Sequence, residues 1–166
     1  MRKLPLMVAG LATLAPLMLA GQAPAYADGN RDGIDACAQE AKLAGFAKDR
    51  SSEGRNDDAI HAVAIAMAES GCRHDARHQN NPNDPDPGSW DLGAWQINER
   101  WHPDVHGRDA NVVTDENWKD MGWSARKAYE IDKDPSGRGW AAWAAWNLGT
   151  YRQYLDQARD AVYRNW

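Results

Sequence analysis

The chain has 166 residues, 43% of them hydrophobic, a formal net charge of −5 and two cysteines. That length suits one domain with its own core, and the acidic balance excludes the basic surface that nucleic-acid binding requires. A net negative chain gains no long-range attraction to an anionic partner such as a bacterial wall, so recognition must be local.

Residues 1–27 open with Arg2 and Lys3, continue through an apolar run from Leu4 to Ala20 and end in Ala25-Tyr26-Ala27, a small-x-small cleavage site. The pattern predicts a secretory signal peptide. A membrane anchor fits less well, because Pro5, Pro16 and Gly21 interrupt a run shorter than the ~20 apolar residues a span needs. Removing this leader, with Arg2 and Lys3, takes the net charge from −5 to −7 and leaves 28–166 as a single domain. No other segment can span a bilayer, so a secreted monomer, extracellular or at the cell wall, is expected.

Within 28–56, Gly33–Phe46 reads as a short amphipathic helix that Gly45 weakens near its end, and Lys48–Asn56 as a polar linker. Cys37 lies on this helix and Cys72 follows the next one; an even cysteine count in an exported chain predicts a Cys37–Cys72 disulfide.

Asp57 or Asp58 can cap the second helix. Its body, Ala59 to Ala68, lacks Gly and Pro and is rich in Ala, and Gly71 supplies the stop. Counting back three, four and seven residues from Glu69 gives Ala66, Ile65 and Ala62, so Glu69 lies on an apolar stripe. Burial and the negative end of the helix dipole both raise the pKa of such a carboxyl group. A carboxyl protonated near neutral pH is what general acid catalysis needs.

Cys72 to Asp91 is rich in Asn, Pro, Asp and Gly and reads as a long irregular loop, with turn signals throughout Asn81–Gly88. Long loops inside small domains usually carry function. Gly93-Ala94-Trp95-Gln96-Ile97-Asn98 follows, and Trp90, Trp95 and Trp101 offer flat faces for sugar rings. Gln96, Asn98 and His102 offer polar groups for hydroxyls and acetamides. Ser124–Ile131 reads as another helix with Ala128 and Ile131 as core contacts. Trp140, Trp143 and Trp146 recur every three residues, and Tyr151, Tyr154, Leu155, Ala158 and Val162 continue a stripe on a terminal helix. Most of these rings are expected in the core; Asn147 beside them points one of the pair Trp143 and Trp146 towards a groove, and Trp146 and Tyr151 are taken as substrate-binding candidates.

Glycosidases ordinarily pair two carboxylates. Of Asp84, Asp86 and Asp91, Asp91 is best placed to position a water, and capping a turn is its alternative role. No metal or other cofactor is expected. His74 and His78 flank Asp75 without the Glu of a zinc-protease helix, and the Asn83–Gly88 run has no Glu in register for calcium.

Ala68-Glu69-Ser70-Gly71 followed by Gly93-Ala94-Trp95-Gln96-Ile97-Asn98 resembles the E-S…G-L-x-Q-I signature of the lysozyme-like superfamily, nearest its soluble lytic transglycosylase and goose-type lysozyme branch. Ala145-Trp146-Asn147-Leu148-Gly149 is similar to that family's A-Y-N-x-G element, with Trp146 where Tyr is usual. The resemblance runs from Asp57 to Leu155 and implies a mainly α, lysozyme-like helical domain with a long substrate-binding loop. By position it implies Glu69 as the catalytic acid, Ser70 as the hydroxyl that helps hold it, and Gln96 and Asn147 as cleft residues. The implied reaction is cleavage of the β-1,4 bond between N-acetylmuramic acid and N-acetylglucosamine in peptidoglycan glycan strands. It proceeds either by hydrolysis or by transglycosylation, in which the sugar's own 6-hydroxyl closes an anhydro ring. The alternative is a non-catalytic secreted wall- or chitin-binding protein that uses the tryptophans alone.

Overall fold

A computed structural model describes residues 33–47, 58–106 and 117–166. The expected leader, the Lys48–Asn56 linker and the cap candidate Asp57 lie outside the described residues. The architecture is mainly helical: α1 (Ile34–Ala44), α2 (Asp58–Ser70), β1 (Arg77–Gln79), β2 (Trp90–Leu92), β3 (Ile97–Asn98), α3 (Met121–Lys133), α4 (Ala144–Leu148) and α5 (Leu155–Asn165), with short 3-10 turns between them.

Helix α1 stops at Ala44, because Gly45 adopts the left-handed conformation (φ 102°) that residues with a Cβ avoid. The Gly45 and Phe46 N–H groups then fold back onto the Lys42 and Ala41 carbonyls at 3.1 Å each. Gly45 therefore terminates the helix, where the sequence reading had it only weakening the end. Helix α2 is the hub. Its Ala59, Ile60 and Ala62 to Ala66 are buried, and it packs against α1, α4 and α5. Small alanines let these neighbours approach closely, which explains how so short a helix can be enclosed on so many sides.

Cys37 and Cys72, both fully buried, form a disulfide with Cα atoms 6.0 Å apart. The Gly33 N–H donates to the Cys72 carbonyl at 2.9 Å, a second tie between the start of α1 and the end of α2.

The stretch expected as one irregular loop contains a small antiparallel sheet in the order β1-β2-β3. Only Asn80–Ser89, the part densest in turn residues, remains a loop between β1 and β2. In this register Asp91 pairs with His78 on one side and Asn98 on the other, so the three side chains share one face. Leu92 and Ile97 pair on the opposite face and are buried. Alternation along two short strands thus sends apolar residues inward and Asp91 outward.

Helix α3 is longer at both ends than its predicted core of Ser124–Ile131. Asp120 caps it, its carboxylate accepting the Trp123 N–H at 2.6 Å. The Trp140–Trp146 region is not one continuous stripe. Trp143 is extended (φ −99°, ψ 138°) and Gly149 is left-handed, so the chain breaks into a 3-10 turn, α4 and a second 3-10 turn before α5.

The disulfide closes a separation of 35 residues. Cys37→Ser should lower the unfolding free energy by about 4 kcal/mol on the chain-entropy model. Urea unfolding checks this: the midpoint of the native chain should fall to that of the variant when reductant is added.

Candidate active site

Glu69 occupies the last turn of α2 and is half-buried. Its predicted neighbours Ala62, Ile65 and Ala66 are inaccessible to solvent. Burial is the main force raising its carboxyl pKa above the ordinary 4.5, and the negative charge of Asp91 adds to it. The opposing influence is one hydrogen bond, from the Ala145 N–H to Glu69 Oε1 at 2.9 Å. That N–H comes from α4, so the acid is held by an element far away in sequence.

Asp91 shares the same cleft. Burial raises its pKa as well, and two side-chain hydrogen bonds oppose that rise: the Asn98 amide donates to Oδ1 at 2.7 Å and the Asn80 amide to Oδ2 at 3.1 Å. Both amides also donate to the buried Ser89 hydroxyl oxygen, at 2.9 and 3.2 Å, and that hydroxyl in turn donates to the Asp86 carbonyl. Two donors aimed at a carboxylate favour its ionised form, whereas Glu69 has one donor and a greasy surround. The environments therefore differentiate the two groups: burial raises both, two side-chain donors oppose the rise at Asp91, and the charge of Asp91 adds to the rise at Glu69.

The cleft, about 740 Å³, has Glu69 at its floor. One wall is the sheet side, with Asn80, Asp91, Gln96, Asn98, Trp101 and His102; the other comes from Ile131, Arg138, Trp143, Ala144 and Asn147. Burial, reinforced by Lys127, pushes the His102 imidazole below its ordinary 6.5, so it enters the cleft neutral at pH 7.

The sequence-derived candidates separate into two groups. Glu69, Asp91, Gln96, Asn98 and Asn147 come together on the cleft. Gln96 is left-handed (φ 48°), and its amide nitrogen donates to the Gly93 and Ala76 carbonyls at 2.8 and 3.3 Å, so it fastens the turn it lies in. Gly93 itself admits no side chain: a Cβ there would come within 2.7 Å of the Trp118 carbonyl.

Four candidates lie elsewhere. Trp95, expected to face sugar, is fully buried, and its indole N–H donates to the Ala62 carbonyl of α2 at 2.9 Å. Between β2 and β3 the chain turns inward, and burying so large a ring outweighs exposing it. Trp146 and Tyr151 stack on each other (4.7 Å, 13° between planes) and neither lines the cleft. Ser70 contacts the active region indirectly: its hydroxyl donates to the Ala94 carbonyl at 2.7 Å, pinning the end of α2 to the Gly93–Asn98 turn.

Several cleft groups were invisible in sequence. The Ala145 N–H is backbone and has no residue signature. Asn80 stood unsingled within the Cys72–Asp91 loop, and Ile131 read as a core contact. Among the tryptophans, Trp101 has the open face, being 66% exposed, with its indole N–H on Asp86 Oδ2 at 3.0 Å.

A family profile described as a lysozyme-like domain matches residues 38–145, more than half of the chain. The protein belongs to this lysozyme-like domain family. No curated protein matches it. The family associates such a fold and cleft with cleavage of glycosidic bonds in peptidoglycan in general.

Two titrations follow from this electrostatic arrangement. In Asp91→Asn the charge that adds to burial is gone, so the Glu69 pKa should fall part of the way towards 4.5, readable by carbon NMR of its carboxyl group. Because its folded pKa is raised, Glu69 contributes stability below about pH 4.5 that is lost as pH rises through the folded value. Glu69→Gln should therefore melt no higher than the native chain at pH 3 and progressively higher above pH 5, as calorimetry across that range would register.

Proposed function

We propose that the protein is a secreted lysozyme-type hydrolase that cleaves the β-1,4 bond between N-acetylmuramic acid and N-acetylglucosamine, with Glu69 as general acid and Asp91 as the carboxylate that orients the attacking water. The observation that carries the reading is the pair of carboxyl groups on one cleft with unlike partners. In this mechanism the Glu69 proton passes to the glycosidic oxygen as the bond to the anomeric carbon breaks. Water adds to that carbon, and its proton leaves towards Asp91, giving two sugar ends and no net change in charge.

The rest of the cleft suits a glycan. Trp101 supplies a flat apolar face at the mouth, held in place by Asp86. Arg100 steadies the same corner, donating to the Pro87 carbonyl at 2.9 Å. Gln96 and Asn147 line the cleft from its two sides. Hydrolysis is preferred to transglycosylation because the latter has no use for a second carboxylate, and Asp91 is held by two amides that a buried serine braces. Export to the wall agrees with the leader pattern and with the Cys37–Cys72 disulfide. No helix among the described residues is long and apolar enough to cross a membrane.

Glu69→Gln should slow turbidity loss of a cell-wall suspension by at least about 10²-fold, while the variant still pellets with the wall. Undiminished lysis would overturn the acid assignment, and pelleting without lysis by the native chain would leave a wall-binding protein. Mass spectrometry of released muropeptides should find ordinary reducing ends; products one water lighter would establish the anhydro-forming reaction instead.

A further inference from the structure

A second cavity branches from the cleft at Glu69. It shares Glu69, Asn80, Pro85, Asp91, Gln96 and Ala144 with the main groove and is lined further by Arg73 and His78. The two spaces meet at the pair of carboxyl groups, so a linear glycan lying in the groove would send a side substituent into the branch.

The character of this branch differs from that of the molecule. The chain carries a net charge of −5, yet here a guanidinium and an imidazole stand on the lining. Arg73 follows the end of α2, and its Nε donates to the Ser70 carbonyl at 3.1 Å, which fixes the base of the side chain beside the turn. It is exposed and has no carboxylate partner among the described residues. His78 lies on the same sheet face as Asp91 by register, and its charge acts on Asp91. Arg77 also borders the cavity, but alternation turns it to the other face, where it lies over the Trp90 ring at 5.8 Å. Three carboxyl groups also line it: Glu69 and Asp91, shared with the groove, and Asp84, which accepts the Asn81 N–H at 2.6 Å within its own turn. A planar cation with free N–H groups at the wall of a branch is suited to a carboxylate.

We propose that this branch, with Arg73 as its specificity-determining residue, receives the carboxylate borne on the lactyl side arm of the muramoyl sugar. The inference rests on reading the cleft as a peptidoglycan glycan site. That carboxylate belongs either to a peptide stem or, where the stem has been removed, to the lactyl group itself. Chitin has neither. Arg73 thereby supplies a local cation for that carboxylate within an acidic chain.

Affinities test this independently of turnover. The probes are the N-acetylglucosaminyl-N-acetylmuramic acid disaccharide with its stem peptide, the same disaccharide without the stem, its uncharged carboxamide, and chitobiose, each titrated calorimetrically. In Arg73→Gln, affinity for the acidic probes relative to chitobiose should fall about tenfold, and Arg73→Lys should restore much of it. A loss confined to the stem-bearing probe assigns the stem carboxylate; a loss for the stripped acid as well extends the assignment to the lactyl group. Equal losses for chitobiose, or no change in the ratio, overturn the proposal. The unmodified protein gives a second check that needs no variant: the stripped acid should bind about tenfold more tightly than its carboxamide when the lactyl group is the ligand. If the native chain binds both acidic probes no better than chitobiose, the branch is no carboxylate site. Binding of none of the probes removes the glycan reading as well, whereas Arg73-dependent binding without lysis removes only the assignment of Glu69 as acid.

Discussion

A closed circuit of hydrogen bonds through the middle of the molecule holds the candidate site together. The Trp95 indole donates to the Ala62 carbonyl of α2, the Trp143 indole donates to the Trp95 carbonyl, and two residues later the Ala145 N–H returns to Glu69 on α2. Three segments distant in sequence are thereby fixed around one carboxyl group. Because both rings are buried, each N–H would be costly to leave unpaired, so the circuit resists opening at any single point. The Ser70 hydroxyl adds a parallel tie from the end of α2 to Ala94.

This scaffold accounts for the unlike behaviour of two similar side chains. Glu69 projects from an alanine-lined helix end into a space shaped by apolar atoms, with one backbone donor to offset the lost solvation. Asp91 projects from the outward face of a small sheet, where Asn80, Asn98 and Ser89 form a polar bed beneath it. The difference is one of surroundings rather than of intrinsic acidity. The same sheet carries His78 beside Asp91, and Arg73 follows the end of α2, so an imidazole and a guanidinium border the site within an acidic chain.

Where reading the chain and seeing it folded diverge, the cause is competition between local pattern and tertiary packing. Trp95 stands amid sugar-binding residue types, yet the turn that starts at Gly93 rotates it into the core, where its area is worth more. Trp140, Trp143 and Trp146 keep helical spacing, but an extended residue at Trp143 breaks the helix, burying that ring and leaving Trp146 to stack on Tyr151 behind the cleft. Arg77-His78-Gln79 has no strand signature of its own; it pairs because β2 offers an open edge.

The local chemistry was legible in the amino-acid order: an alanine-rich helix ending in a glutamate on its apolar stripe, a glycine stop, two cysteines able to cross-link, and a turn-rich stretch followed by amides. These depend on contacts between near neighbours, which periodicity and turn propensity encode directly. Which residues meet across the cleft was decided only by the fold. The Ala145 donor, the Asn80–Asn98 grip on Asp91 and the branch beneath Arg73 bring together groups from separate elements. Such pairings follow from strand register and from the packing of whole elements against one another, neither of which leaves a mark on any single segment of the chain.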